Sequence, residues 1–193
     1  MARTKRTLVV GAALLALTVG CKSEGGGLDP ASPSHGTPGS QLTELGAISV
    51  ANDPLTDMEG KIKILSEIEY ENSRLIAYVN GSSCGVAVTL KGSSKEKQIH
   101  LVSKWPATAE GNNRYPAGPY NSASGAGSPK AWASMLCSKN AMVIEYSSGD
   151  DANPAHSRGQ VTVLRATGSP AKTRIIIGDS ETRRQIADQA KTQ

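Results

Sequence analysis

The chain has 193 residues, 21 Lys and Arg against 17 Asp and Glu, and no Phe. Three of the basic residues lie within the first six positions, which leaves 18 basic against 17 acidic side chains in the remainder. No cluster of basic residues there could form a phosphate-binding surface, so the composition excludes a nucleic-acid partner. The length fits one hydrophobic core and is too short for two.

Residues 1–20 have the layout of a signal peptide. Arg3, Lys5 and Arg6 precede an uncharged run from Leu8 to Val19, and the small residue Gly20 stands before Cys21. A membrane-spanning helix needs roughly 20 apolar residues, so this shorter run is predicted to target the chain and then to be removed.

The residues Leu17-Thr18-Val19-Gly20-Cys21 resemble the lipobox of bacterial lipoproteins. The resemblance implies that the Cys21 sulfur receives a diacylglyceryl group and that the mature chain is attached to the extracytoplasmic face of the cell membrane. Lys22 is not the Asp that retains such lipoproteins at the inner membrane of Gram-negative cells, so the outer membrane is an alternative location. The other interpretation is an ordinary secretory peptide that leaves Cys21 as a free thiol.

Residues 21–40 are predicted to be a lipidated cysteine and a flexible tether, because Gly, Pro and Ser dominate them. Residues 41–178 form the predicted folded domain, and residues 179–193 a C-terminal tail with a short exposed helix that begins near Asp179. Eight strands are predicted from runs of β-branched residues: 45–50, 61–70, 74–79, 84–90, 98–104, 141–147, 160–166 and 173–177.

The strand at 61–70 shows an alternation that predicts one wet face. Ile62, Ile64, Ile68 and Tyr70 occupy the even positions and Lys63 and Glu67 the odd ones. Asn80-Gly81 predicts a tight hairpin between the next two strands. With no strong amphipathic helix before the tail, the fold class is an all-β antiparallel sandwich or small barrel of about eight strands.

Cys84 and Cys137 are the two cysteines that remain after Cys21 is assigned to the anchor. In an oxidising compartment they allow a single disulfide, which would close a loop of about 50 residues and stabilise the fold by at most roughly 4 kcal/mol. The alternative is a pair of buried free thiols.

Ser83 lies in Gly81-Ser82-Ser83-Cys84-Gly85, which matches the G-x-S-x-G pattern of a hydrolase nucleophile elbow. An elbow requires a helix after the serine, whereas Val86 to Leu90 predicts a strand. A hairpin is therefore the favoured interpretation, no catalytic residue is predicted, and a serine hydrolase is the less favoured alternative.

Asp150, Asp151, Asn153 and His156 could hold a hard cation, but they lack the spacing of a calcium loop and are typical of turns. No metal site and no cofactor are predicted. His100 is predicted to point to solvent from a strand.

The segment from Trp105 to Trp132 is long, rich in proline and aromatic, which is typical of a binding loop or of a cap on the core. The candidate binding residues are Trp105, Arg114, Tyr115, Tyr120 and Trp132. The predicted function is a lipid-anchored binding module with a protein or glycan partner in the cell envelope, and the alternative is a structural or assembly component without a small ligand.

Overall fold

The computed structural model describes residues 39–91, 97–105, 120–125, 131–148, 153–166 and 171–191. These residues form ten strands and one helix. The elements are β1 Ile62–Glu69, β2 Ser73–Asn80, β3 Ser83–Leu90, β4 Lys97–Lys104, β5 Tyr120–Ser124, β6 Trp132–Cys137, β7 Met142–Ser147, β8 His156–Gly159, β9 Val161–Ala166, β10 Lys172–Ile177 and α1 Ser180–Lys191.

The strands make two antiparallel sheets, sheet A in the order β4-β3-β2-β1-β8 and sheet B in the order β5-β6-β7-β10-β9. Between the sheets lies the main core, which includes Leu65, Ile68, Val86, Met135 and Ile175. The predicted antiparallel sandwich is confirmed. Among the described residues, no helix has the length and the apolar character needed to cross a membrane.

Seven of the eight predicted strands are present, and the prediction for residues 45–50 is wrong. That segment belongs to a stretch without strand pairing, residues 41–60, which we call the strap. Leu42 and Leu45 enter the main core, whereas Ile48, Val50, Leu55 and Met58 pack on the outer face of sheet A. The short strands β5, β6 and β8 were not predicted, because their residues carry little β-branched character.

The outer face of sheet A is therefore covered at β1 to β3 rather than wet, which corrects the alternation inferred for residues 61–70. A β-bulge between Ile64 and Ser66 reverses the side on which successive residues point. Ile62 and Ile64 consequently lie under the strap, whereas Leu65 and Ile68 lie in the main core. The bulge also places Glu67 under the strap, where it is 2% exposed.

Glu67 is neutralised by two arginines that also hold the strap. Arg74 donates to Glu67 at 3.3 Å and to the carbonyls of Ala51 and Asn52 at 2.6 and 2.8 Å. Arg158 on β8 pairs with the other carboxylate oxygen and donates to the Ser49 carbonyl at 3.3 Å. The buried charge thus joins strands β1, β2 and β8 to the strap.

Helix α1 begins at Ser180, directly after the capping residue Asp179 that the sequence predicts, but it is not simply exposed. The Asp179 carboxylate accepts from the Thr182 backbone N–H at 2.9 Å. Burial raises the pKa of Asp179, yet this bond and others outweigh burial and hold the pKa below its ordinary value. Ile186 and Ala187 pack with Ala141, Val143 and Ile176 on the outer face of sheet B. The predicted C-terminal helix is therefore present but is packed along one side rather than exposed.

Candidate functional site

The predicted disulfide is confirmed. Cys84 on β3 and Cys137 on β6 are bonded, with their Cα atoms 6.2 Å apart, and both residues are fully buried. The bond links sheet A to sheet B through the main core. Free thiols at these positions are therefore excluded.

Trp105 follows β4 and is packed against this disulfide. Its indole Nε1 lies 3.2 Å from the Cys84 sulfur, and its ring borders the main core. The aromatic segment was interpreted either as a binding loop or as a cap on the core. The position of Trp105 agrees with the cap. Its contact with the disulfide gives the half-buried ring a structural role.

Trp132 lies elsewhere, at the start of β6, and points to the outer face of sheet B. The Lys172 ammonium of β10 lies 4.8 Å from the centroid of the indole ring, within the range of a cation–π contact. On the same side, Arg174 donates to Glu145 at 2.8 Å. Helix α1 packs on the other half of this face, where Val143 and Ile176 lie.

We call the uncovered half the β6–β10 face. The pairing of the strands shows which residues share this face. Ser134 is opposite Glu145, and Glu145 is opposite Arg174. The residues of the face are Trp132, Ser134, Glu145, Lys172 and Arg174. Ser134 is buried, so the half-buried side chains that this sheet surface presents are an aromatic ring, two cations and a carboxylate, a combination that suits recognition of another polar molecule.

Tyr120 is the most exposed large hydrophobic side chain of the described residues, at 63%. It begins β5 opposite Leu136, whereas Trp132 is opposite Ser124, so the two rings lie four residues apart along the strand pair. That separation is roughly 13 Å at about 3.3 Å per residue. Neighbouring Asn121 donates to the Val102 carbonyl of β4 at 3.2 Å, and Val102 is 45% exposed.

The three candidate binding residues that the structure describes are therefore not brought together. Trp105 packs on the disulfide, Trp132 lies on the β6–β10 face, and Tyr120 lies beside β4. Arg114 and Tyr115 lie outside the described residues, as do Asp150 and Asp151. Within the described ranges, no three His, Cys, Asp or Glu side chains are grouped as metal ligands would be.

Ser83 starts β3 after a two-residue turn in which Gly81 has a φ of 59°. It is opposite Asn80 on β2 and Lys104 on β4, and β3 continues as a strand to Leu90. The predicted hairpin is confirmed. The strand, turn and helix of a nucleophile elbow are not present around this serine.

A hydrogen-bonded pair that sequence reasoning did not identify joins Tyr78 to His100. The Tyr78 hydroxyl lies 2.7 Å from His100 Nε2. Tyr78 crosses Gly85, where any Cβ would overlap its ring. The turn residues are Gly81 and Ser82, one position later than an Asn80-Gly81 turn would have them, so the Asn-Gly signal alone does not give the pairing of Tyr78 with Gly85.

The environment favours the uncharged forms of this pair. Burial raises the pKa of Tyr78 to about 12. Burial, with the nearby Lys97 ammonium, holds the pKa of His100 below its ordinary value, although Asp57 opposes this shift. Lys97 also pairs with Asp57 at 3.3 Å. As predicted, His100 projects from β4 on the face opposite Ile99 and Leu101.

No protein-family model, no curated protein and no solved structure matches this chain.

Proposed function

We propose that this protein is an exported lipoprotein, anchored through Cys21, whose β domain binds a partner in the cell envelope. Two features support export and anchoring. The lipobox-like sequence ends at Cys21, and the Cys84–Cys137 disulfide is of the kind that persists in oxidising compartments.

The observation that carries the binding role is the cation–π pair of Trp132 and Lys172 on a sheet surface that α1 leaves uncovered. Trp132 keeps part of its ring accessible, and a ring held on a rigid strand loses little entropy when a partner covers it. Tryptophan and arginine are also enriched at the centres of protein interfaces. The β6–β10 face is accordingly the proposed binding surface, for a protein or a glycan.

In-cell photo-cross-linking tests this surface. A photoreactive amino acid at Lys172 should give a discrete adduct, and the same amino acid at exposed Lys61, beside sheet A, is the matched control. Adding Trp132→Ala should reduce the Lys172 adduct at least fivefold. An adduct that forms equally at both positions, or that is insensitive to Trp132→Ala, would overturn the proposed surface. Co-sedimentation with purified envelope glycan then separates a glycan partner from a protein partner.

Anchoring is tested separately by intact mass and fractionation. The mature chain should have the mass of residues 21–193 plus acyl groups, and Cys21→Ser should move the protein from the membrane to the soluble fraction. An unacylated mature chain would refute the anchor while leaving the binding surface to be judged on its own experiment.

A structural or assembly role is the second candidate, and the position of Trp105 on the disulfide favours it. In that case the aromatic segment caps the core. Trp105→Ala should then lower the free energy of unfolding, whereas Trp132→Ala should leave envelope cross-links unchanged. A binding role therefore predicts that Trp132→Ala reduces cross-linking. A structural role predicts instead that Trp105→Ala lowers the free energy of unfolding while Trp132→Ala leaves cross-linking unchanged.

A further inference from the structure

The strap ends beside the β2–β3 hairpin, where the side chain of Asn80 holds it. The Asn80 carboxamide Nδ2 donates to the Glu59 carbonyl at 2.8 Å, and we call this hydrogen bond the latch. Gly60 has a φ of 105° and lies so close to the Asn80 carboxamide that any Cβ would overlap it. Glu59 and Gly60 are exposed, so these contacts, rather than apolar burial, hold the last two residues of the strap on the hairpin.

Asn80 is also followed by a glycine, which makes its carboxamide chemically labile. Gly81 is exposed in the turn and has no side chain to shield its backbone nitrogen, and a Cβ there would meet nothing within 4 Å. When the Gly81 nitrogen attacks the carboxamide carbon of Asn80, a cyclic imide forms and ammonia leaves. Water then opens the ring, and the product is either aspartate or isoaspartate.

We propose that Asn80 is both the latch residue of the strap and a site of spontaneous deamidation, so that opening of the latch becomes irreversible. Asn80 ends β2, where it is paired with Ile62 and Ser83. Its backbone and side chain must rotate out of the extended conformation before the Gly81 nitrogen reaches the carboxamide carbon. The strand pairing and the latch both oppose that rotation, so the closed strap protects Asn80.

Neither product of the reaction is able to close the latch again. A carboxylate has no N–H to donate to the Glu59 carbonyl, and the two oxygens would repel each other. Isoaspartate also carries the main chain through its side-chain carbon, which lengthens the backbone at the position that pairs with Ser83. The end of the strap is thereby released, whereas Ile48 and Leu55 stay packed on sheet A.

The rate of deamidation tests the protection. Purified full-length protein is incubated in mildly alkaline buffer, and peptide mapping quantifies aspartate and isoaspartate at Asn80, with exposed Asn72 as the internal reference. Conversion at Asn80 should be about tenfold slower in the folded protein than in denaturant. Gly60→Ala, which displaces the carboxamide, should accelerate it by about threefold, whereas Gly46→Ala on the same strap should not.

Hydrogen exchange tests the latch itself. Asn80→Asp carries the side chain of the product, and Asn72→Asp adds the same charge just before β2 begins, as the matched control. The Met58 backbone N–H donates to the Leu55 carbonyl at 3.0 Å in the closed strap. Its exchange should be about threefold faster in Asn80→Asp than in Asn72→Asp.

Equal rates at Asn80 in the folded protein and in denaturant, or no acceleration in Gly60→Ala, would overturn the proposed protection. Equal exchange of the Met58 amide in the two aspartate variants would overturn the latch. This second comparison does not depend on Gly60→Ala, so the latch is tested even if that variant fails to fold. The anchor at Cys21 and the β6–β10 face are judged by their own experiments.

Discussion

His100 occupies an exposed strand face, yet its ring is bonded to a buried tyrosine. Because burial and Lys97 disfavour its protonated form, the folded state binds a proton at His100 less readily than the unfolded state does. The contribution of His100 to the free energy of unfolding is therefore fully present above the unfolded pKa of about 6.5. It is lost as the pH falls from that value through the lower pKa of the folded state.

We predict that NMR titration will give His100 a pKa below 6.5, and that Lys97→Gln will raise it. Removal of the ammonium relieves a repulsion and also frees Asp57, which attracts the imidazolium. A pKa at or above the unfolded value, or no response to Lys97→Gln, would contradict the proposed environment.

Glu67 shows why individual residues can escape prediction. A charged residue at an odd position of an alternating strand is normally solvated, and here the bulge after Ile64 turns it under the strap. The carbonyl of Leu65 at the bulge accepts from the Gln160 backbone N–H at 3.2 Å, and Gly159, with a φ of 94°, lies against it. A contact between positions so distant in the chain leaves no mark in a local pattern.

At the scale of elements, the hairpin of β2 and β3 depends on the space above Gly85. Gly85→Ala should reduce the free energy of unfolding by about 1 to 3 kcal/mol, because the added methyl group overlaps the Tyr78 ring. Gly46→Ala is the control, since a Cβ there meets nothing within 4 Å. Chemical denaturation measures the free energy of unfolding of both variants. If Gly85→Ala were as stable as Gly46→Ala, the Tyr78 ring would be able to move aside.

The packing of α1 gives a second prediction at this scale. Ile186→Ala should cost about 2 kcal/mol, at the low end for a buried isoleucine because the helix lies at the surface. Exposed Gln185→Ala should change the free energy of unfolding by less than about 0.5 kcal/mol. If Ile186→Ala also changed the free energy of unfolding by less than about 0.5 kcal/mol, α1 would contribute little to the stability of the fold.

Strongly patterned elements were predictable, whereas elements that depend on their neighbours were not. β2, β3 and their turn carry β-branched runs and Asn-Gly, so the hairpin was predictable, although its turn residues prove to be Gly81 and Ser82. β6, with Ala133 and Ser134 at its centre, forms because β7 and the disulfide hold it against the core. The β6–β10 face was missed for the same reason, since Trp132 and Lys172 meet only through sheet pairing.

For the molecule as a whole, the disulfide is a covalent cross-link between the two sheets. Cys84→Ala combined with Cys137→Ala should lower the free energy of unfolding by about 2 to 4 kcal/mol, because the unfolded chain gains the freedom of a loop of 53 residues. Denaturation of the oxidised parent and of the double variant measures this difference. Coincident denaturation curves would show that packing alone joins the sheets.

The fixing of Gly39 between the β6–β7 turn and α1 has a mechanical consequence. Any pull transmitted along the preceding residues is applied first to the hydrogen bonds at Asn140 and Lys139, close to the disulfide-linked ends of β3 and β6. The load passes into the two sheets before it reaches residues Ile48 to Met58, the part of the strap that covers sheet A. The cover on sheet A is thereby shielded from forces that act through the N-terminus.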